Sequence, residues 1–493
     1  LLVSPMPKAI IIGAGIGGIA TAIRLAAKGY SVEVFERQPY AGGKLTVLEN
    51  DGFRFDAGPS LFTMPWLIDE LFELAGENPK DHFEYERREV ACRYFWEDGT
   101  DLTAWGDPER FAKEVSATFK VPERMVTEHL HWARKTYDRT GTIFLEKPLN
   151  KTSTWLSGRV GKALMHLPSY GLNTTMHQQH VKRFGDPRLV QLFDRFATYN
   201  GSDPYKAPAM LSMIPHLEHN LGTYFPKGGM HEISQSLFRL SKRMGVTYHL
   251  GTDVEQITLD NGKATGIIAE GKSYTGDLIV SNVDAWFTYH RLMQTAQRPE
   301  KTLTQERSSS AIIFYWGMEG TYPELDLHNI FFSSDYQQEF HHLFNEGTMF
   351  EDPTVYVHIS SKAQPEDALP GCSNWFILVN APANNGQDWD RLIAQTRDRV
   401  LDKVGRLLNK DLRKSLRNED TLDPRLIESR TGSYTGSLYG TSSNSKWAAF
   451  LRHRNKHKSI SNLYFVGGSV HPGGGIPLCL NGARIVSELV PAL

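Results

Sequence analysis

The stretch from Ala9 to Glu36 restricts the possible folds of this chain more than any other. Ala9–Ile12 is a short apolar run suited to the centre of a parallel sheet. Gly13-Ala14-Gly15-Ile16-Gly17-Gly18 follows, and then a helical segment to about Lys28 with Ile19, Ile23, Ala26 and Ala27 on one side. Gly29 ends that helix, Ser31–Phe35 forms a second apolar strand, and Glu36 closes it. In such a unit Gly13 makes the tight turn, Gly15 lets backbone approach a pyrophosphate, and Gly18 lets helix and strand pack closely. The helix N-terminus at Gly17 presents free N–H groups and a positive dipole end to phosphate. An acid about 20 residues beyond the glycines accepts from both ribose hydroxyls and disfavours a 2′-phosphate. The segment is a dinucleotide-binding βαβ unit, and NADP does not fit it.

The next residues bear on which dinucleotide. Arg37 follows the acid directly, then Gly42-Gly43-Lys44, and soon after Phe55-Asp56-Ala57-Gly58-Pro59-Ser60. This order resembles the extended motif of the flavoprotein group that contains amine oxidases and carotenoid desaturases. The resemblance implies FAD. It implies that Gly43 lets the chain fold back over the pyrophosphate, that Lys44 adds positive charge there, and that the turn Gly58, Pro59, Ser60 passes close to the flavin. No second complete strand–glycine loop–helix–acid unit occurs, so a nicotinamide domain is not expected.

The far end of the chain reads NLYFVGGSVHPGGGIPLCLNGARIVSELVPAL. Leu463–Val466 is a strand, Gly467-Gly468 a turn, and a helix begins at about Pro477, where no amide is needed. The first turn around Gly475, Ile476 and Pro477, together with Gly468, is expected to face the N1–C2=O edge of a flavin and to stabilise negative charge there. HPGGGIP, at His471–Pro477, resembles the C-terminal signature of bacterial phytoene-type carotenoid desaturases. Two internal blocks extend the likeness: GTYFPKGGM at Gly222–Met230, preceded by His216-Leu217-Glu218, and LIVSNVD at Leu278–Asp284. Within that family the chain looks most like the hydroxycarotenoid 3,4-desaturase branch. In the family the backbone at the Val254 position contacts adenine; Val254 otherwise reads as a plain strand start.

The expected fold class is α/β: a Rossmann-like FAD-binding domain of the glutathione-reductase and amine-oxidase type, with a discontinuous α+β substrate domain. Residues 6–60, 222–286 and 455–493 are assigned to the first, and 61–221 and 287–454 to the second. Strands are expected at Ala311–Met318, Thr354–Ile359 and Asn374–Val379. Their apolar character suits a sheet against a long apolar tunnel, and equally a sheet against ordinary helices. Between 145 and 196, Trp155, Leu156, Val160, Ala163, Leu164 and Met165 form an apolar set beside Lys151, Arg159 and Lys162. A basic amphipathic surface of this kind lies in a headgroup layer, and an ordinary core-facing helix has the same pattern.

The resemblance implies removal of two hydrogens from a C–C bond beside a polyene, with hydride passing to flavin. The protein's tasks are then orientation and exclusion of water, and no Ser-His-Asp or paired-carboxylate arrangement is required. Glu218 is the one candidate catalytic base: a buried carboxylate with a raised pKa is competent, and the same residue can simply hold a loop. Further expectations are a long apolar carotenoid as substrate, a membrane surface as partner, and oxygen or a quinone as electron acceptor. The expected location is cytoplasmic, peripherally on the inner face of the membrane. A net charge of −2 gives no general attraction to nucleic acid. Three distant cysteines form no disulfide framework, and 18 histidines show no metal-ligand spacing, so no metal is expected. The rivals are a phytoene desaturase, an isomerase or saturase on the same scaffold, a flavin amine oxidase, and a flavin-free lipid-escort protein of the GDP-dissociation-inhibitor kind.

Overall fold

The computed structural model describes residues 6–149, 151–171, 173–293, 297–445 and 452–493. Three separated stretches of chain meet in one five-stranded parallel sheet. Its order is Leu463–Phe465, Leu278–Ser281, Lys8–Ile12, Ser31–Glu36, Thr247–Leu250. The strands alternate between two cores, as period-2 geometry requires. Ala9, Ile11, Val32, Val34 and Val280 pack against the helices Ile16–Ala27, His231–Arg243 and Ile476–Leu489. Ile10, Ile12, Phe35, Ile279 and Leu463 turn the other way, onto the antiparallel meander Val254–Asp260, Lys263–Ala269, Lys272–Thr275. A sheet covered on both faces accounts for the near-continuous apolar runs.

A second, seven-stranded sheet has the order Leu416–Leu422, Ser310–Glu319, Cys372–Ala381, Val355–His358, His328–Phe331, Val90–Phe95, Asp101–Trp105. It is antiparallel except where His328–Phe331 runs parallel to Val90–Phe95. The two readings of these strands turn out to describe its two faces. Ile312, Phe314, Trp316, Val357, Ile377 and Val379 point to a core closed by the helix Trp389–Leu408. The alternate residues Ile313, Tyr315, Ile330, Tyr356, Phe376 and Leu378 line a large cavity. Cross-strand register fixes the second set: Ile330 faces Tyr356, Tyr356 faces Leu378, and Leu378 faces Ile313.

Helices complete the enclosure. Asp107 and Asp186 cap Pro108–Phe119 and Pro187–Asp194 by accepting from backbone N–H groups, each with proline in the first turn. The apolar set expected to form one surface between 155 and 165 is split. Val160 and Ala163 pack on Ile143, whereas Trp155, Leu156, Leu164 and Met165 face outward. The Arg159 side chain lies outside the described residues. Among the described residues, no helix is long and apolar enough to cross a membrane.

Candidate cofactor and substrate site

The glycine turn is built by close approach. A Cβ on Gly18 would lie 2.1 Å from the Gly13 carbonyl oxygen, so only glycine lets the helix start this near the strand. The Gly13 N–H donates to Phe35 O at 2.7 Å, which ties the turn to the second strand. Gly42 N–H reaches Ala14 O at 2.8 Å, and Gly43 sits over Gly15. Glu36 closes the second strand with Oε2 accepting from Ala14 N at 2.7 Å and Oε1 from Gln38 N at 2.8 Å. Gly13, Gly15, Gly17, Glu36, Arg37, Gly43, Lys44 and Val254 all line the cavity; Gly18 stands behind it in the helix.

Two of these side chains also bond backbone elsewhere. Arg37 donates to the carbonyls of Ser429 and Arg430, where the helix Pro424–Thr431 ends. Lys44, expected to place its charge by the pyrophosphate, sends Nζ to Leu438 O at 2.8 Å and Ser437 O at 3.3 Å. Burial drives its pKa down to about 8. Both side chains satisfy backbone oxygens of the distant 429–438 stretch, the end of a helix and the loop after it, which local sequence cannot foretell.

The C-terminal turn reaches the same cavity. Gly468, Gly475, Ile476 and Pro477 line it, and the helix begins at Ile476, one residue before the sequence-based start. Gly475, at φ +106°, caps that helix. A Cβ there would meet no protein atom within 4 Å; it would enter the space in front of the helix amides. Asn282, in the LIVSNVD block but not singled out by sequence, joins both ends of the chain. Its Nδ2 donates to Gly13 O at 3.2 Å, and its Oδ1 lies 3.0 Å from where a Gly467 Cβ would stand. A glycine-lined slot, a carboxylate at its far end and helix amides at the other fit an extended dinucleotide. Glu36 suits the adenosine ribose, the turn at Gly13–Gly17 the pyrophosphate, and Gly58–Ser60 with Gly475–Pro477 a flavin.

Beyond that slot the cavity, about 910 Å³ in all, runs along the second sheet. The lining turn Gly58, Pro59, Ser60 joins the two regions: Gly58 abuts the Lys44 carbonyl on one side, and Ser60 reaches a tyrosine of the sheet on the other. Ser60 Oγ lies 2.7 Å from Tyr356 Oη, which lies 2.7 Å from His328 Nδ1. Deeper in the wall is a buried ionic group. Arg195 Nη2 donates to both Glu218 oxygens at 2.9 Å, Arg195 Nε to Tyr94 Oη at 2.8 Å, and Tyr199 Oη to Glu218. Burial alone would raise the Glu218 carboxyl, but the Arg195 guanidinium outweighs it and the pKa falls below the ordinary range. The raised proton affinity expected of Glu218 as a base is therefore corrected: the carboxylate is held ionised. Arg195 belongs to no motif, and nothing in the sequence pairs it with Glu218. Among the described residues no group of three or more His, Cys, Asp or Glu side chains is placed to hold a metal.

The sequence profile of flavin-containing amine oxidoreductases matches residues 16–491. The chain belongs to that family. Within the family's breadth, it is 50% identical over 486 residues to a 1-hydroxycarotenoid 3,4-desaturase of Flavobacterium sp. (strain P99-3), covering 99% of each chain. It is 32% identical to a 4,4'-diapolycopene oxygenase of Methylomonas sp, covering 98% of each. Among solved structures, an oxidoreductase of Methanosarcina mazei superposes with a TM-score of 0.65 at 18% identity, covering 98% of this chain and 100% of that one. That last likeness establishes the fold. Family membership makes this chain a flavin-dependent oxidoreductase with FAD as its cofactor, as the cradle requires.

Proposed function

We propose that this protein is an FAD-dependent carotenoid desaturase that acts on a 1-hydroxycarotenoid at the 3,4 bond. The observation that carries the reading is the junction at Gly58–Ser60, where a dinucleotide slot opens directly into a cavity floored by one face of a β-sheet. Bound FAD supplies a two-electron acceptor for a hydride taken from a carbon beside the polyene. The chain's own residues hold the polyene against an apolar floor, exclude water, and leave the neighbouring C–H to lose its proton. Tyr315, Tyr356 and Phe376 present rings to the cavity, and ring quadrupoles attract the allylic cation that hydride loss creates. With Glu218 held as an ion-paired carboxylate, its part is electrostatic positioning rather than proton uptake.

A carotenoid resides in lipid, and Trp155, Leu156, Leu164 and Met165 offer an outward apolar group with Lys151 and Lys162 near it. Tyr137 and Leu145, just before this region in sequence, line the cavity. This supports a peripheral membrane-bound enzyme on the cytoplasmic face that draws substrate from the bilayer. Oxygen or a quinone completes the cycle, since no second dinucleotide unit is present in the sequence.

The test is an anaerobic assay in liposomes with phytoene, lycopene and a 1-hydroxycarotenoid, following flavin absorbance and product. Flavin bleaching with a new double bond in the hydroxylated substrate alone is expected. Isomerisation without bleaching, or saturation only after the flavin is reduced with dithionite, would select the corresponding rivals. Purified protein that stays colourless with FAD would select the lipid-escort reading.

A further inference from the structure

The cavity is apolar along the sheet yet holds one buried ionic group with hydrogen-bonding capacity to spare. We propose that Arg195, Glu218 and Tyr199 recognise the tertiary hydroxyl of the substrate and so set which end of the carotenoid reaches the flavin. The inference rests on the desaturase reading and names its specificity determinant.

The polar atoms of the cavity divide into used and unused. Ser60 Oγ, Tyr356 Oη and His328 Nδ1 bond one another in a chain, which leaves His328 Nε2 as a single unpartnered site but supplies no ionic donor–acceptor pair. Arg195 spends Nε and Nη2 on Tyr94 and Glu218. The guanidinium also interacts with the Tyr199 hydroxyl, and none of the hydrogen bonds to Tyr94 and Glu218 uses Nη1. For a side chain 7% exposed and stacked against Phe196, with its guanidinium carbon 4.2 Å from the ring centroid, that edge faces the cavity it lines. Glu218 accepts three hydrogen bonds, and a carboxylate has about four acceptor sites. A hydroxyl needs one donor and one acceptor, and this cluster offers both.

Its position matches the bond that reacts. In a 1-hydroxycarotenoid the oxygen sits only two carbons from C3, so the group that reads it must stand close to the reacting edge of the flavin. Tyr356, which bonds Ser60 of the flavin-side turn at 2.7 Å, lines the same cavity as Arg195 and Glu218. The hydroxylated end therefore enters first and stops at the ion pair, while the polyene trails along the sheet. A substrate lacking the oxygen leaves a buried donor and acceptor without a partner, which is strongly rejected.

The experiment compares kcat/KM and equilibrium binding (quenching of flavin fluorescence) for a 1-hydroxycarotenoid and its deoxy counterpart. The holoenzyme and its Tyr199→Phe, Glu218→Gln and Arg195→Met variants are assayed in liposomes. The parent is expected to prefer the hydroxylated compound by about 100-fold or more. Tyr199→Phe, which deletes one oxygen, should cut that preference about tenfold, and Arg195→Met should abolish it. If Arg195→Met does not retain flavin, Tyr199→Phe and Glu218→Gln decide. Folded, flavin-loaded variants that keep the parent's preference overturn the proposal. A parent that dehydrogenates neither compound overturns the desaturase reading beneath it.

Discussion

Glu36 Oε2 accepts the Ala14 N–H at 2.7 Å, across the mouth of the glycine turn. The acid therefore shapes the turn, in addition to the ribose contact proposed for it. Both oxygens bond backbone, and each has capacity for a further hydrogen bond in a residue that lines the cavity. Replacing the carboxylate removes charge-assisted hydrogen bonds worth about 1.5–3 kcal/mol each. Glu36→Ala is expected to lose FAD on gel filtration, and Glu36→Gln to bind about 10- to 100-fold more weakly by fluorescence titration. Full flavin occupancy in Glu36→Ala would refute the ribose assignment.

Two glycines should fail differently. Gly18→Ala places Cβ 2.1 Å from Gly13 O, a clash against backbone that must shift the turn. Overpacking of this kind costs about 1–3 kcal/mol, so urea unfolding of the apoprotein should move to lower denaturant. In Gly475→Ala nothing lies within 4 Å of the new carbon. Only the left-handed φ penalty, of order 1–3 kcal/mol, opposes it, and the methyl occupies space assigned to the flavin. Its apoprotein should unfold at lower denaturant by a comparable amount, while FAD affinity drops by more than that destabilisation accounts for. Normal FAD binding in Gly475→Ala would remove the C-terminal helix from the site.

The contrast between Gly18 and Arg195 shows what a sequence discloses. Gly13 to Glu36 is legible because one local segment carries strand, turn, helix and acid in fixed order, and the constraint at Gly18 is internal to it. HPGGGIP and LIVSNVD are legible as resemblances, but the link they form through Asn282 appears only when strand Leu278–Ser281 pairs beside Lys8–Ile12. The alternation of the second sheet was visible as apolar strands; which face met a helix and which met the cavity was not, because both faces are apolar. Arg195 reaches Glu218 across a helical break with no spacing rule to predict it. For the same reason burial suggested a raised Glu218 pKa, and the unseen guanidinium reversed the sign.

That reversal has a pH signature. The Glu218 carboxyl has a folded-state pKa below its ordinary value of 4.5. The unfolded chain therefore takes up the proton first as pH falls, and the pair's stabilisation is whole above pH 4.5 and drains away below it. Glu218→Gln strands a buried Arg195 at neutral pH, at a cost of about 3–5 kcal/mol. Urea midpoints of parent and variant should differ most near neutrality and converge at pH values well under 4.5. A difference that stays constant into acid would show that Glu218 is not ion-paired in the folded protein.

The outward apolar group offers a prediction with little confounding by folding. Leu156 is 81% exposed and Met165 72% exposed, so neither contributes to the core. Substituting exposed residues usually changes stability by less than about 0.5 kcal/mol. Fully burying such a side chain in a bilayer is worth about 1.5–3 kcal/mol. The double variant Leu156→Asp/Met165→Asp should therefore keep its flavin spectrum and thermal midpoint while losing liposome binding about 100-fold in flotation assays. Lys162→Glu, by contrast, should weaken binding to anionic vesicles and leave neutral ones unaffected, and the loss should shrink as salt screens the headgroup charge. Lys151 is the less informative cation, because its Nζ already donates to the Glu488 carbonyl at 3.1 Å. Undiminished flotation of the aspartate variant on both vesicle types would place the docking surface elsewhere on the molecule.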